Sequence, residues 1–85
     1  MPNKQHLFTF ENATSRQALE DALAPLHMRN LLTFNQLHVI ARACAPALPA
    51  AVTLEQRMPK GTTYVTAGDM KFTVNNRAKL VRENT

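Results

Sequence analysis

The stretch Thr62–Asn75, TTYVTAGDMKFTVN, decides how the chain folds, because the Gly68-Asp69 pair at its centre sorts the flanking side chains onto two faces. Glycine in the first central position of a two-residue loop accepts the positive φ of a type II′ turn, and aspartate suits the second. Closing the chain there sets Ala67 opposite Met70, Val65 opposite Phe72 and Thr63 opposite Val74, an apolar face. The alternate set, Thr66 with Lys71, Tyr64 with Thr73 and Thr62 with Asn75, is polar and faces solvent or a partner. An antiparallel hairpin follows from the pattern. No catalytic or ligand-binding signature lies on it.

Upstream, His6 to Phe10 alternates, with Phe8 and Phe10 on one side and Leu7 and Thr9 on the other, which predicts a short strand followed by a turn over Glu11 to Ala13. Thr14-Ser-Arg-Gln17 matches a capping box, and Ala18, Leu19, Ala22, Leu23 and Leu26 then recur at helical spacing with Glu20 and Asp21 outward. Pro25 is expected to end or kink this helix, since its ring removes a donor and disfavours helical geometry at Ala24. His27 to Leu32 reads as a connector or a short helical turn. Thr33-Phe-Asn-Gln36 repeats the capping pattern, and Leu37, Ile40, Ala41, Cys44 and Leu48 form the stripe of a second helix that Pro46 and Pro49 bring to a stop. Val52 to Met58 fits a strand slightly better than a third short helix, although Thr53-Leu-Glu-Gln56 carries the same capping letters. Pro59-Lys60-Gly61 is a turn before the hairpin, and Asn76 to Thr85 runs out as a flexible basic tail anchored by Leu80 and Val81.

The expectation is one small α+β domain over residues 1–85: a short N-terminal strand, two main helices, then a C-terminal antiparallel hairpin within a sheet of two to four strands. Eighty-five residues with four Phe, one Tyr and no Trp make a modest core, and a homodimer is a natural way to bury more surface. A single cysteine excludes an intrachain disulfide and fits a reducing compartment. The start, MPNKQHLF, lacks an apolar signal core, and no run approaches the roughly 20 apolar residues of a membrane helix, so the expected setting is cytoplasmic.

Catalytic chemistry finds little to work with. His6, His27, His38 and Cys44 lack the spacing of a zinc site, Cys44 sits on the apolar stripe of the second helix as an inert core thiol, and Glu20-Asp21 are helix neighbours that point apart. Both glycines, Gly61 and Gly68, belong to turns, which leaves no phosphate-cradling loop. The expectation is a protein without metal or cofactor that is not an enzyme.

Charge is more informative. Lys plus Arg outnumber Asp plus Glu by ten to six, and from Met70 to Arg82 the chain holds Lys71, Arg77, Lys79 and Arg82 with no acid. Together with Tyr64 on the polar hairpin face, these residues are the expected partner-binding set, suited to an acidic protein or nucleoprotein surface or to phosphates. The leading functional expectation is a small interaction protein that acts as an inhibitor, adaptor or regulator, as short accessory proteins of phages and mobile elements do. The second is nucleic-acid binding: the order strand, helix, helix, hairpin resembles a winged-helix layout, although the second helix offers only Arg42 with Asn35, Gln36 and His38 to bases.

Overall fold

The computed structural model describes residues 4–57 and 62–82, with the side chains of Lys4 and Arg82 outside that set. In chain order it consists of β1 (Lys4–Ala13), α1 (Arg16–Met28), α2 (Phe34–Cys44), a 3-10 turn (Ala45–Ala47), β2 (Ala50–Arg57), β3 (Thr63–Ala67), β4 (Met70–Val74) and β5 (Leu80–Arg82). The strands form one antiparallel sheet in the order β1-β2-β3-β4-β5. The α+β class holds, but the sheet has five strands, flanking the helices in sequence on both sides, where a sheet of two to four was expected.

The β3–β4 register is the one that the turn residues dictate: Thr63↔Val74, Tyr64↔Thr73, Val65↔Phe72, Thr66↔Lys71 and Ala67↔Met70. Gly68 has φ +61°, which a side-chain-bearing residue rarely adopts. Val52 to Arg57 is strand, not helix, and its alternation puts Val52, Leu54 and Gln56 on the buried face. That face runs Phe8–Leu54–Val65–Phe72 and Phe10–Val52–Ala67–Met70 across the sheet. On it rest Leu19, Leu23 and Leu26 of α1 and Leu37, Ile40, Ala41 and Cys44 of α2, all buried. The result is two layers, helices on one side of the sheet and a wet face on the other.

Several local expectations shift. β1 is longer than the alternation of His6 to Phe10 suggests and runs on through Glu11 to Ala13. A register shift between His6 and Phe8 turns Leu7 toward the core beside Phe8, while His6 and Thr9 share the outer face, where Thr9 Oγ1 and His6 Nε2 lie 3.2 Å apart. The first helix is capped by Ser15, whose hydroxyl accepts from Ala18 N–H at 3.1 Å, so Thr14 and Gln17 do not form the box. The Thr33–Gln36 box is complete in both directions.

α1 also continues through Pro25 to Met28. The proline deprives only the carbonyl of Asp21, an exposed residue, and the last turn is held from beyond it. Leu31 N–H donates to Leu26 O and Asn30 N–H to His27 O, with Asn30 at φ +61°: a Schellman closure in which buried Leu26 is the anchor. Two buried glutamines then tie the layers together. Gln36 accepts from Thr33 N–H and donates to Asn75 O at 3.0 Å, and Gln56 donates to Leu31 O at 2.9 Å and to Thr63 Oγ1. Among the described residues no buried side-chain polar atom lacks a partner. The turn expected at Pro59–Gly61 lies outside the described residues.

Candidate partner-binding surface

Two rows of side chains cross the outer face. One is His6, Glu55, Tyr64, Thr73 and Val81, and the other is Thr9, Thr53, Thr66 and Lys71. Neither helix covers them, since both lie on the opposite face of the sheet. Tyr64 is half-buried at the centre of its row, and Lys71 is exposed at the end of the other. They are diagonal neighbours on adjacent strands, a separation of roughly 7–8 Å.

Arg77 and Lys79 are placed by a different device. After Val74 the chain turns through Asn75 to Lys79, with Ala78 N–H donating to Asn75 O and Asn75 N–H to Lys79 O. Asn75 Oδ1 accepts from both Arg77 N–H and Lys79 N–H, each at 2.9 Å. Ala78 takes φ +63°, the left-handed position that a three-residue hairpin loop requires. The two cations are thus mounted on a hydrogen-bonded turn that Gln36 in turn fastens to α2. The chain then doubles back as β5, with Leu80 opposite Val74, Val81 opposite Thr73 and Arg82 opposite Phe72. Residues 80–82 of the expected tail are therefore part of the sheet.

The expected set is brought to one margin without forming one cluster. Lys71 lies near the Gly68-Asp69 end of β4, Arg77 and Lys79 lie at its other end, Arg82 returns alongside through its backbone, and Tyr64 stands one strand inward. Arg42 joins them from an unexpected quarter. It shares a groove of about 290 Å³ with Val39 and Ala43 of α2 and with Ala78 and Leu80 at the margin of the sheet. Nothing in the local pattern around Arg42 signals this, because the neighbourhood arises only when α2 lies along β4 and β5. Glu20 forms an ion pair with Arg16 and lies 3.4 Å from His38 Nδ1, and no described ion pair involves Arg42, Lys71, Arg77 or Lys79.

The residues weighed for chemistry stay apart. Cys44 is fully buried, and burial pushes its thiol up to about 12, which makes it inert at neutral pH. His6 lies on β1, while His27 and His38 sit at the corner between the helices, their rings 5.8 and 4.3 Å from that of exposed Phe34. His27 Nδ1 donates to Leu32 O, so its ring is committed to its own connection. A concavity of about 370 Å³ opens beside it, but Gln36 and Gln56 in its wall spend their amides on the chain's own backbone. No group of three or more metal-ligating side chains occurs among the described residues. No helix there is long and apolar enough to cross a membrane.

Comparison of the chain with protein-family models, with curated proteins and with solved structures finds no match to any of them.

Proposed function

We propose that the chain is a small non-catalytic binding protein that engages another macromolecule, as an inhibitor, adaptor or regulator, through the β4–β5 margin and the adjoining outer face of its sheet. The observation that carries this reading is the margin's charge: exposed Lys71, Arg77, Lys79 and Arg42 have no acidic partner among the described residues, and two of them are mounted on a turn built by Asn75. Solvated charges held in fixed positions steer an acidic partner and set its register, and Tyr64 on the same side supplies an amphipathic contact. A protein or nucleoprotein partner with an acidic surface is the leading reading.

Nucleic acid is the second reading, favoured by the same acid-free cations beside a tyrosine. The outward side of α2 adds little to it, since Phe34, Asn35 and Arg42 are its exposed residues. Pull-down from native lysate with the full chain, with and without nuclease and at two salt concentrations, separates the two. A protein partner survives nuclease, whereas phosphate binding weakens steeply with salt, and each phosphate-contacting cation replaced lowers the slope by about one. In either case the variant with Tyr64, Lys71, Arg77, Lys79 and Arg82 all changed to alanine must lose binding while staying folded. Wild-type affinity in that variant removes this surface.

A further inference from the structure

Resting on the binding-protein reading, we propose that the free edge of β5, with the groove between it and α2, takes an extended acidic segment of a partner protein as a sixth strand. Backbone, apolar contacts and charge all meet at this margin. β5 is the last strand of the sheet and, among the described residues, pairs with β4 alone. Its hydrogen bonds alternate outward from the Asn75–Lys79 pair, so Val81 is directed to Thr73 while the N–H and C=O of Leu80 point away from the sheet. A strand laid along that edge would find main-chain partners there.

Both faces of the edge are also apolar. On the helix side the groove has a floor of Val39, Ala43, Ala78 and Leu80, and on the outer side Val81 is 54% exposed. An added strand alternates its side chains between two such faces. Because β5 is only three residues long, main-chain bonds alone give it little hold, and the apolar floor and the surrounding charge must supply the rest.

The charge identifies the occupant. Arg42 lines the groove, Arg77 and Lys79 are the chain neighbours of Ala78 in its lining, and none has an acidic partner among the described residues. Pairing β5 with β5 of a second copy would bring two such clusters together, and like charges across an interface are strongly disfavoured. The cations that blunt self-pairing are the ones that select an acidic strand.

The test uses the isotope-labelled full chain, titrated by NMR with a short capped peptide of alternating valine and glutamate and with its valine–lysine counterpart. The glutamate peptide is expected to shift the amide signals of Val39, Ala43 and Leu80 and to slow exchange of the Leu80 N–H, while the lysine peptide does neither. The double variant Arg42→Glu, Lys79→Glu is expected to invert that preference by roughly tenfold or more. Should the double variant fail to fold, Lys79→Glu alone, on an exposed turn, must still weaken the glutamate peptide. The proposal is overturned by no response to the glutamate peptide, by an equal response to both peptides, or by self-association that moves the same signals without peptide. Shifts confined to Tyr64 and Thr66 would also overturn it while leaving the wider binding reading standing; loss of partner capture by the fivefold alanine variant tests that reading separately.

Discussion

Asn75 is the residue on which the geometry of the basic margin turns, and replacing it gives a graded test. In Asn75→Ala two backbone amides, those of Arg77 and Lys79, lose the side-chain oxygen they share at 2.9 Å. A net hydrogen bond contributes about 0.5–1.5 kcal/mol, and these amides lie on exposed residues where water replaces part of the loss, so the expected cost is about 1–2 kcal/mol. The turn's other ties, Gln36 and the Ala78 N–H on the Asn75 carbonyl, survive because they use the main chain. Asn75→Asp keeps the shared acceptor oxygen and sets a negative charge between two cations, so it should stay within about 0.5 kcal/mol of the parent. In urea, with a slope near the ~1 kcal/mol/M end of the usual range for so short a chain, the alanine variant's midpoint falls by about 1–2 M. Hydrogen exchange at Arg77 and Lys79 should speed up in the alanine variant and not in the aspartate one. An alanine variant as stable as the parent, or an aspartate variant as damaged as the alanine one, would refute the account of the turn.

The sheet assignment predicts that Phe72→Ala, at 1% exposure, costs about 3–5 kcal/mol while Lys71→Ala, on the opposite face, is close to neutral; equal small losses on chemical denaturation would overturn it. Asn30 closes α1 at φ +61°, so Asn30→Val should cost about 1–2 kcal/mol whereas Asn30→Gly should be no less stable than the parent, both read from thermal melts. Cys44 should resist thiol reagents until the chain unfolds. The unfolded thiol begins to lose its proton near 9 while the folded one holds it to about 12, so stability should fall as pH rises through that window, by up to about 1.4 kcal/mol per pH unit, and Cys44→Ala should lack this component.

What was legible in the sequence is what a single local rule decides. Gly68-Asp69 sets the register of every pair from Thr63 to Val74, and Thr33 with Gln36 sets the start of α2, because turn and cap chemistry act over a few residues. The illegible parts each depend on a distant neighbour. Thr53-Leu-Glu-Gln56 carries capping letters, yet Gln56 is drawn into the sheet because its amide satisfies the Leu31 carbonyl. The inward turn of Leu7 exists only because β2 is there to be out of step with. Ser15, not Thr14, caps α1, although both hydroxyls are competent, so the residue letters alone leave the choice between the two neighbours open. β5 is too short to show a period, and only the Asn75 side chain, accepting two amides further on, marks the turn that returns it to the sheet. For the candidate surface, the basic stretch from Lys71 to Arg82 was plain, while the adjacency of Arg42 was a product of topology.

The two edges of the sheet are guarded in different ways, and the difference bears on which of them can receive a partner. β1 runs ten residues, and an unbroken free edge of that length would template pairing with any exposed strand. Its register is broken twice, between His6 and Phe8 and between Phe10 and Ala13, and each shift twists the edge and disrupts the even row of donors and acceptors an added strand needs. β5 is regular over its pairs with Phe72, Thr73 and Val74, and its protection is shortness and positive charge. A bulge repels every strand alike, because it acts on the backbone that all strands share. Charge discriminates, since it opposes a second copy of this chain and favours an acidic one. An edge closed by geometry has no partner to choose, whereas an edge closed only by charge remains open to the partner that carries the opposite sign.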